Sequence, residues 1–276
     1  MNWDDGNVTA AKMRELDVTT PNVARIYDFL LGGKDNYHAD RVAAAQLACA
    51  LPHCPEAARE NRDFLGRVVR HLAGNGIRQF LDIGSGLPTA ANTHQAAQQV
   101  HLDARVVYVD YDPTVCAHAR ALLQDGPAAE VGVDVVLADV RDLEEVIAGA
   151  SALLDFSEPV AVLLLAVLHF LPDSDDPHEI VRDLTGSLAP GSAVAVSHIT
   201  GDDTPPAVSL AAQQVYQGAS APAVPRGLAG VGRFFTGLNL LPPGVVDIRT
   251  WHRRNPDLTA PLAFYGGVGI VPDREG

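Results

Sequence analysis

The chain has 276 residues, 47% of them hydrophobic and 20% charged, which is enough apolar material for one large domain core or two small ones and rules out a disordered composition. A formal net charge of -14 argues against a generally basic surface for nucleic acid and against attraction to anionic membranes. Three cysteines, Cys49, Cys54 and Cys116, show no CxxC spacing, so free thiols in a reducing compartment are expected, with no metal site. The first ten residues lack a positive segment followed by an apolar run, and Val160–Leu168 is far short of the about 20 residues a membrane span needs. A cytoplasmic protein that binds neither nucleic acid nor membrane is the expectation; a homodimer is left open as the assembly.

Residues 1–20 are polar and aperiodic and are expected to form a flexible arm. Pro21 opens a helical pattern (Val23, Ile26, Tyr27, Leu30, Leu31) that Gly32-Gly33 stops, as a plain helix end or as the hinge of a lid. A second helix is predicted from about Asp35 through Cys49. A third starts at Pro55 and repeats Phe64, Leu65, Val68, Val69 and Leu72 at spacings of three and four. Residues 21–75 thus read as a helical cap preceding any strand.

From residue 76 the pattern changes. Short apolar runs at 79–83, 105–109, 134–138, 160–166 and 192–197 alternate with helical stretches at 89–101, 113–124, 142–150 and 177–188, which predicts a mostly parallel sheet covered by helices on both faces. Helices are predicted at 207–216 and 227–238. Two strand-like runs at 245–251 and 263–271, joined by a short polar connector, predict an antiparallel edge hairpin holding Trp251 and Tyr265 in the core, with His252-Arg253-Arg254 as a solvated turn. No break in composition marks a second domain, so residues 21–276 are expected to form one domain, with 76–276 as its α/β core.

The strongest motif is Phe80-Leu81-Asp82-Ile83-Gly84-Ser85-Gly86-Leu87-Pro88-Thr89, a buried strand carrying an acid into two glycines one residue apart. The glycines let the backbone approach a ligand closely, in the crevice beyond the carboxyl ends of the strands. The next strand ends at Asp110, placed to accept both hydroxyls of a ribose. Asp112 follows as a further ligand contact or as a helix cap before Pro113. The third strand ends at Asp139-Val140, where an acid and a backbone N–H can read an adenine edge. A dinucleotide fingerprint would show a third glycine and no acid ahead of the first; Asp82 repels a pyrophosphate but tolerates the sulfonium and ammonium of S-adenosylmethionine. An NAD-dependent oxidoreductase and a non-catalytic S-adenosylmethionine-binding module are the competing readings.

These strand ends resemble class I S-adenosylmethionine-dependent methyltransferases, over about Phe64 to Val271. The segment Pro21-Asn22-Val23-Ala24-Arg25-Ile26-Tyr27-Asp28-Phe29-Leu30-Leu31-Gly32-Gly33-Lys34-Asp35-Asn36-Tyr37, with Asp40-Arg41, resembles the N-terminal signature of an actinobacterial S-adenosyl methyltransferase family without a defined substrate. The resemblance implies a doubly wound, Rossmann-like seven-stranded sheet in the order 3-2-1-4-5-7-6, last strand antiparallel, with an N-terminal helical lid. It implies that Asp82, Gly84, Ser85 and Gly86 form the methionine-end loop, Asp110 the ribose acid and Asp139 the adenine-side acid; Leu87-Pro88-Thr89 departs from the usual third glycine. The expected activity is methyl transfer to a small-molecule acceptor.

For the acceptor, His169 at the end of the fourth strand is read as a general base or as a packed histidine, with His198 after the fifth strand as a further pocket candidate. Arg25 either holds the cofactor carboxylate or pairs with Asp28 or Asp40 to fix the helices. Tyr27, Asn36 and Tyr37 are candidates to close over the crevice. Phe234, with Arg233 and Phe235, either lines the acceptor site or packs on the sheet.

Overall fold

The computed structural model describes residues 17–88, 92–124 and 132–273. Helices α1 (Val23–Leu30), α2 (His38–Ala50) and α3 (Cys54–Gly74) come first. The side-chain oxygen of Asn22 accepts from the N–H groups of Ala24 and Arg25 and so caps α1. Pro55 sits in the first turn of α3, where its missing N–H costs nothing. The three-and-four spacing on α3 buries Phe64, Val68, Val69 and Leu72 on one face.

The strands are β1 (Gln79–Ile83), β2 (Arg105–Asp110), β3 (Val133–Leu137), β4 (Ala161–Leu165), β5 (Ala193–Ile199), β6 (Asn239–Leu240), β7 (Val246–Asp247) and β8 (Phe264–Ile270). They form one sheet in the order β3-β2-β1-β4-β5-β8-β6, with β7 also on β8. The first five run parallel, and β8 lies antiparallel to β5, with Ala193 opposite Ile270 and Ile199 opposite Phe264. This is the expected order, except that the sixth strand is two short pieces. Pro242 and Pro243 fall between them, and a proline donates no hydrogen bond to a ladder.

Two predicted elements change accordingly. The strand expected over 245–251 pairs only at Val246 and Asp247; Trp251 is fully buried, as expected, but sits in a turn with its ring edge-on to Phe64 at 5.6 Å. The helix expected over 227–238 is α9 (Leu228–Gly232) followed by a single 3-10 turn, Arg233–Phe235. Arg253 is also more engaged than a solvated turn would be, since its Nη1 donates to Glu60 at 2.5 Å.

Side chains alternate across the sheet. Phe80, Val106, Leu163 and Ala195 pack against α3, α4 (Thr93–Gln98) and α5 (Pro113–Gln124); Leu81, Val107, Leu164 and Val194 pack against α6 (Leu143–Ala150), α7 (Pro177–Gly186) and α9. Residues 89–91, where α4 was expected to begin, lie outside the described residues, as does most of the predicted arm. A third apolar cluster joins Ile26, Leu30, Leu47, Ala58 and Ala212, fastening α1, α2 and α3 to α8 (Pro206–Gln217). Among the described residues no helix is long and apolar enough to cross a membrane.

Candidate cofactor and acceptor site

A cavity of about 640 Å³ opens at the carboxyl ends of the parallel strands and is walled on its far side by the N-terminal helices and α8. Its size is that of a small-molecule site, and it lies where strand order reverses, between β1 and β4.

Asp82, Ile83, Gly84, Ser85 and Gly86 line it from β1. The turn is stitched to β2 by the Gly84 N–H, which donates to Val109 at 2.7 Å. Gly84 and Gly86 have φ of +68° and +64°, the left-handed region that suits glycine. Their surroundings differ. A Cβ on Gly84 would lie 2.3 Å from Val167 Cγ2, whereas one on Gly86 would meet nothing within 4 Å. Gly84 therefore allows close packing, and Gly86 leaves open space over the loop.

Asp82 and Asp110 face this one cavity, and both are nearly buried. Asp82 accepts the Thr93 hydroxyl at 2.6 Å. Asp110 accepts from the N–H groups of Asp112 and Gly86, each at 3.0 Å. Burial pushes the Asp82 carboxyl up to about 6 against the opposing Thr93 hydroxyl and Arg62 charge. Burial also pushes Asp110 up to about 6; its two backbone hydrogen bonds oppose the rise, while Asp112 and Asp82 add repulsion. Two desolvated carboxylates side by side favour a ligand that brings hydroxyls and positive charge, and they disfavour a pyrophosphate.

The third acid behaves otherwise. Asp139 lines the cavity with Val140, but Arg141 grips its carboxylate through Nε at 2.9 Å and Nη2 at 2.5 Å and also reaches Asp175 at 3.2 Å. Burial alone would raise the Asp139 pKa, yet the Arg141 hydrogen bonds and charge hold it below the usual value. Asp112 lines the cavity and also caps the next helix: Oδ1 accepts from the Thr114 N–H, while Oδ2 accepts from Asn22 Nδ2, each at 2.7 Å.

The N-terminal signature folds largely onto itself. Asp40, fully buried, accepts from the Asn22 N–H and Arg25 Nε at 2.8 Å and from the Tyr37 N–H at 2.7 Å. Arg25 Nη2 donates to the carbonyls of Asp17 and Thr20. Pairing with Asp40 is thus the observed role of Arg25, which does not line the main cavity. Asn36 donates to Asp28 at 2.8 Å and, with Arg25 and Tyr37, borders a separate pocket of about 110 Å³. Of the candidates Arg25, Tyr27, Asn36 and Tyr37, Tyr27 alone lines the main cavity, beside Asn22, Val23, Ala24 and Leu30 of the same segment; its hydroxyl donates to the Ala58 carbonyl and accepts from Asn61 Nδ2.

On the other side, β4 ends at Leu165, and Ala166 takes φ +57°, a left-handed conformation that costs a non-glycine residue about 1 kcal/mol. Its N–H is held by the Ser197 carbonyl and hydroxyl, each at 3.0 Å. The following 3-10 turn, Leu168–Phe170, sets His169 into the wall with its Nδ1 buried and unpartnered. Burial, then the nearby His198 and Arg226, push its pKa well below the usual imidazole value.

His198 and Phe234 lie behind the wall, outside the lining. His198 Nδ1 is 2.7 Å from the Ile199 carbonyl, which only accepts, so Nδ1 carries the hydrogen and Nε2 accepts from Arg226 at 3.0 Å. Burial lowers its pKa to about 4, and its lone pair is already taken. Phe234 stacks on His178 at 4.2 Å; packing, the alternative reading, is what is observed.

Two arginines complete the site without having been singled out. Arg62 lines the cavity near Asp82, and its buried Nε has no hydrogen-bond partner. Its sequence signal was weak: Asn61 and Arg62 are polar residues on the same three-and-four pattern as Phe64 and Leu65. Arg226, largely buried, donates to the carbonyls of Leu168 and Leu171 and to Asp173, so it clamps the turn that carries His169.

The family model described as S-adenosyl methyltransferase matches residues 9–272. Two solved structures are similar over nearly their whole length. A DUF574 family protein from Streptomyces avermitilis is 38% identical over 93% of this chain and 99% of its own, with a TM-score of 0.85. A candidate methyltransferase from Thermobifida fusca is 38% identical over 96% of this chain and 100% of its own, also at 0.85. The magnesium protoporphyrin IX methyltransferase of Synechocystis, 12% identical over 89% of each chain with a TM-score of 0.53, shares the fold. No curated protein matches the chain.

Proposed function

The chain belongs to the S-adenosyl methyltransferase family and is an S-adenosylmethionine-dependent methyltransferase, and from that premise we propose how its cavity divides between cofactor and a small-molecule acceptor. Asp110 takes the ribose hydroxyls: a carboxylate has about four lone-pair positions, and only two are used by Asp112 and Gly86. Asp139 and Val140 border the adenine. Asp82 and the Gly84–Gly86 turn take the amino-acid end, and Arg62, in place of Arg25, takes its carboxylate. When bound, S-adenosylmethionine supplies a methyl group whose bond to sulfur breaks with the electron pair staying on sulfur. The chain's own residues align the acceptor and exclude water, which is most of what such a displacement requires.

The observation that carries this division is the pair of buried carboxylates, Asp82 and Asp110, facing one cavity beside the open space over Gly86. Arg141 is held by Asp139 and Asp175, and the unpartnered Arg62 Nε gives the donor set an anion-binding member, so the residues present fit this cofactor. An apolar remainder next to the cofactor half supports turnover over simple retention of the ligand.

Calorimetry tests the assignment. S-adenosylmethionine is expected to bind at least about tenfold tighter than NAD, since a pyrophosphate meets both acids. The two carboxyls titrate near 6 in the free protein, and a cationic ligand prefers them charged. Binding at pH 6 should therefore release protons, and affinity should fall as pH drops below 6. Identical heats at pH 6 in two buffers of different ionisation enthalpy, or NAD binding as well as S-adenosylmethionine, would count against it.

A further inference from the structure

The half of the cavity away from β1–β3 has a wall of its own, formed by Leu47, Leu51, Val208, Ala212, Phe170 and Phe264. Phe170 stands 5.6 Å from the Tyr216 ring and 4.3 Å from the His169 ring. Of the lining arginines, Arg141 is held on Asp139, and Arg62 lies near Asp82 with its guanidinium 5.8 Å from the Tyr27 ring at the edge of this wall. On the α8 side the carboxylate that borders the cavity, Asp203, is exposed to solvent.

His169 differs from the other polar groups that border this half, among them Thr200, Ser209 and Gln213. It is 4% exposed, its Nδ1 is buried, and among the described residues no hydrogen bond reaches its ring. The groups around it are committed elsewhere: both nitrogens of His198 are paired, Arg226 is spent on Leu168, Leu171, His198 and Asp173, and the Tyr27 hydroxyl is held by Ala58 and Asn61. A buried polar side chain without a partner calls for a ligand or water. Burial first, and then the neighbouring His198 and Arg226, favour its neutral form, so one ring nitrogen has a lone pair to offer.

Resting on the division of the cavity given above, we propose that this half takes an uncharged, largely hydrocarbon acceptor bearing a hydroxyl, and that the hydroxyl donates its hydrogen to the imidazole of His169. In that transfer the methyl–sulfur bond would break with its electron pair left on sulfur as the O–CH3 bond forms, the O–H bond would break as the imidazole N–H bond forms, and the positive charge brought in on sulfur would end on the ring, which would return the proton to solvent. A carboxylate or ammonium acceptor would lose its hydration among Leu51, Phe170 and Phe264, while Arg62 is assigned to the cofactor carboxylate and Asp203 is exposed to solvent.

The test uses the protein saturated with S-adenosylhomocysteine and three probes of one shape: 2-naphthol, naphthalene and 2-naphthoate. Binding of 2-naphthol should be at least about threefold tighter than naphthalene and about tenfold tighter than 2-naphthoate. His169→Phe should erase the preference for naphthol over naphthalene while S-adenosylhomocysteine affinity stays within about twofold, and His169→Gln, which restores an acceptor atom, should recover part of it. Failure of 2-naphthol to bind, equal binding of the three probes, or a hydroxyl preference that survives His169→Phe overturns the proposal and leaves the cofactor assignment standing. Failure of the unaltered protein to bind S-adenosylhomocysteine overturns the cofactor assignment itself. Should His169→Phe not fold, the ranking of the three probes on the unaltered protein still decides.

Discussion

Asp110→Ala is expected to weaken S-adenosylmethionine binding by about 10- to 100-fold, which corresponds to the roughly 1.5–3 kcal/mol of hydrogen bonds to a charged group. The fold should survive with little change. Alanine removes the acceptor used by the Asp112 and Gly86 N–H groups, a modest loss. It also removes a carboxylate that folding disfavours. With its pKa raised from 3.8 to about 6, Asp110 binds its proton more tightly in the folded state. Its contribution is favourable below about 4 and is lost as pH rises through about 6, so at pH 7.5 the ionised group costs stability, and deleting it offsets the lost hydrogen bonds. Asp110→Asn, which keeps the shape and removes the charge, should also weaken binding. Calorimetry and a thermal melt on the same preparations check this: unchanged affinity would remove Asp110 from the ribose, and a collapsed melt would make it a structural residue.

Gly84→Ala and Gly86→Ala should part company, although they lie two residues apart at nearly the same φ. At both positions alanine pays about 1 kcal/mol for the left-handed backbone. At Gly84 the new methyl also runs into Val167, an overpacking of about 1–3 kcal/mol, so the melting temperature should fall by roughly 5–15 °C. Val167→Ala in the same chain should return the packing part of that loss and leave the backbone part. At Gly86 the methyl enters open space, so the melt should shift by only about 2–4 °C. The same methyl occupies the volume assigned to the ligand, and affinity should drop by about tenfold or more. A native-like melt for Gly84→Ala, or native affinity for Gly86→Ala, would contradict the division of labour between the two glycines.

The parallel half of the sheet was legible because β1, β2, β4 and β5, buried on both faces, read as near-continuous apolar runs, and the first three strands each carry an acid at or near the end facing the crevice. Asp82 and Asp110 therefore fell where expected. The sixth strand did not, because its apolar run looked continuous from Val245 while two prolines ahead of it split the pairing. Arginine roles were the hardest to read. Arg25 and Arg62 both sit on N-terminal helices beside apolar stripes, and only the chain's path decides which one Asp40 captures and which one reaches Asp82. The polar density of residues 21–41 looked like ligand chemistry, but much of it is a network centred on Asp40 and Asp28, with Tyr27 alone of its ligand candidates reaching the cavity. His198 and Phe234 were drawn toward the acceptor by their positions beyond the apolar run at 192–197, but His198 lies within β5 opposite Tyr265, and Arg226 and His178 hold the two side chains behind the wall.

A crystal structure with S-adenosylhomocysteine bound is the most direct measurement of how the cavity is shared. The ribose hydroxyls are expected on Asp110, the amino-acid carboxylate on Arg62, and the sulfur turned toward the apolar half beside His169. A ligand lying reversed, with adenine against Asp82 or its sulfur facing away from His169, would contradict the account.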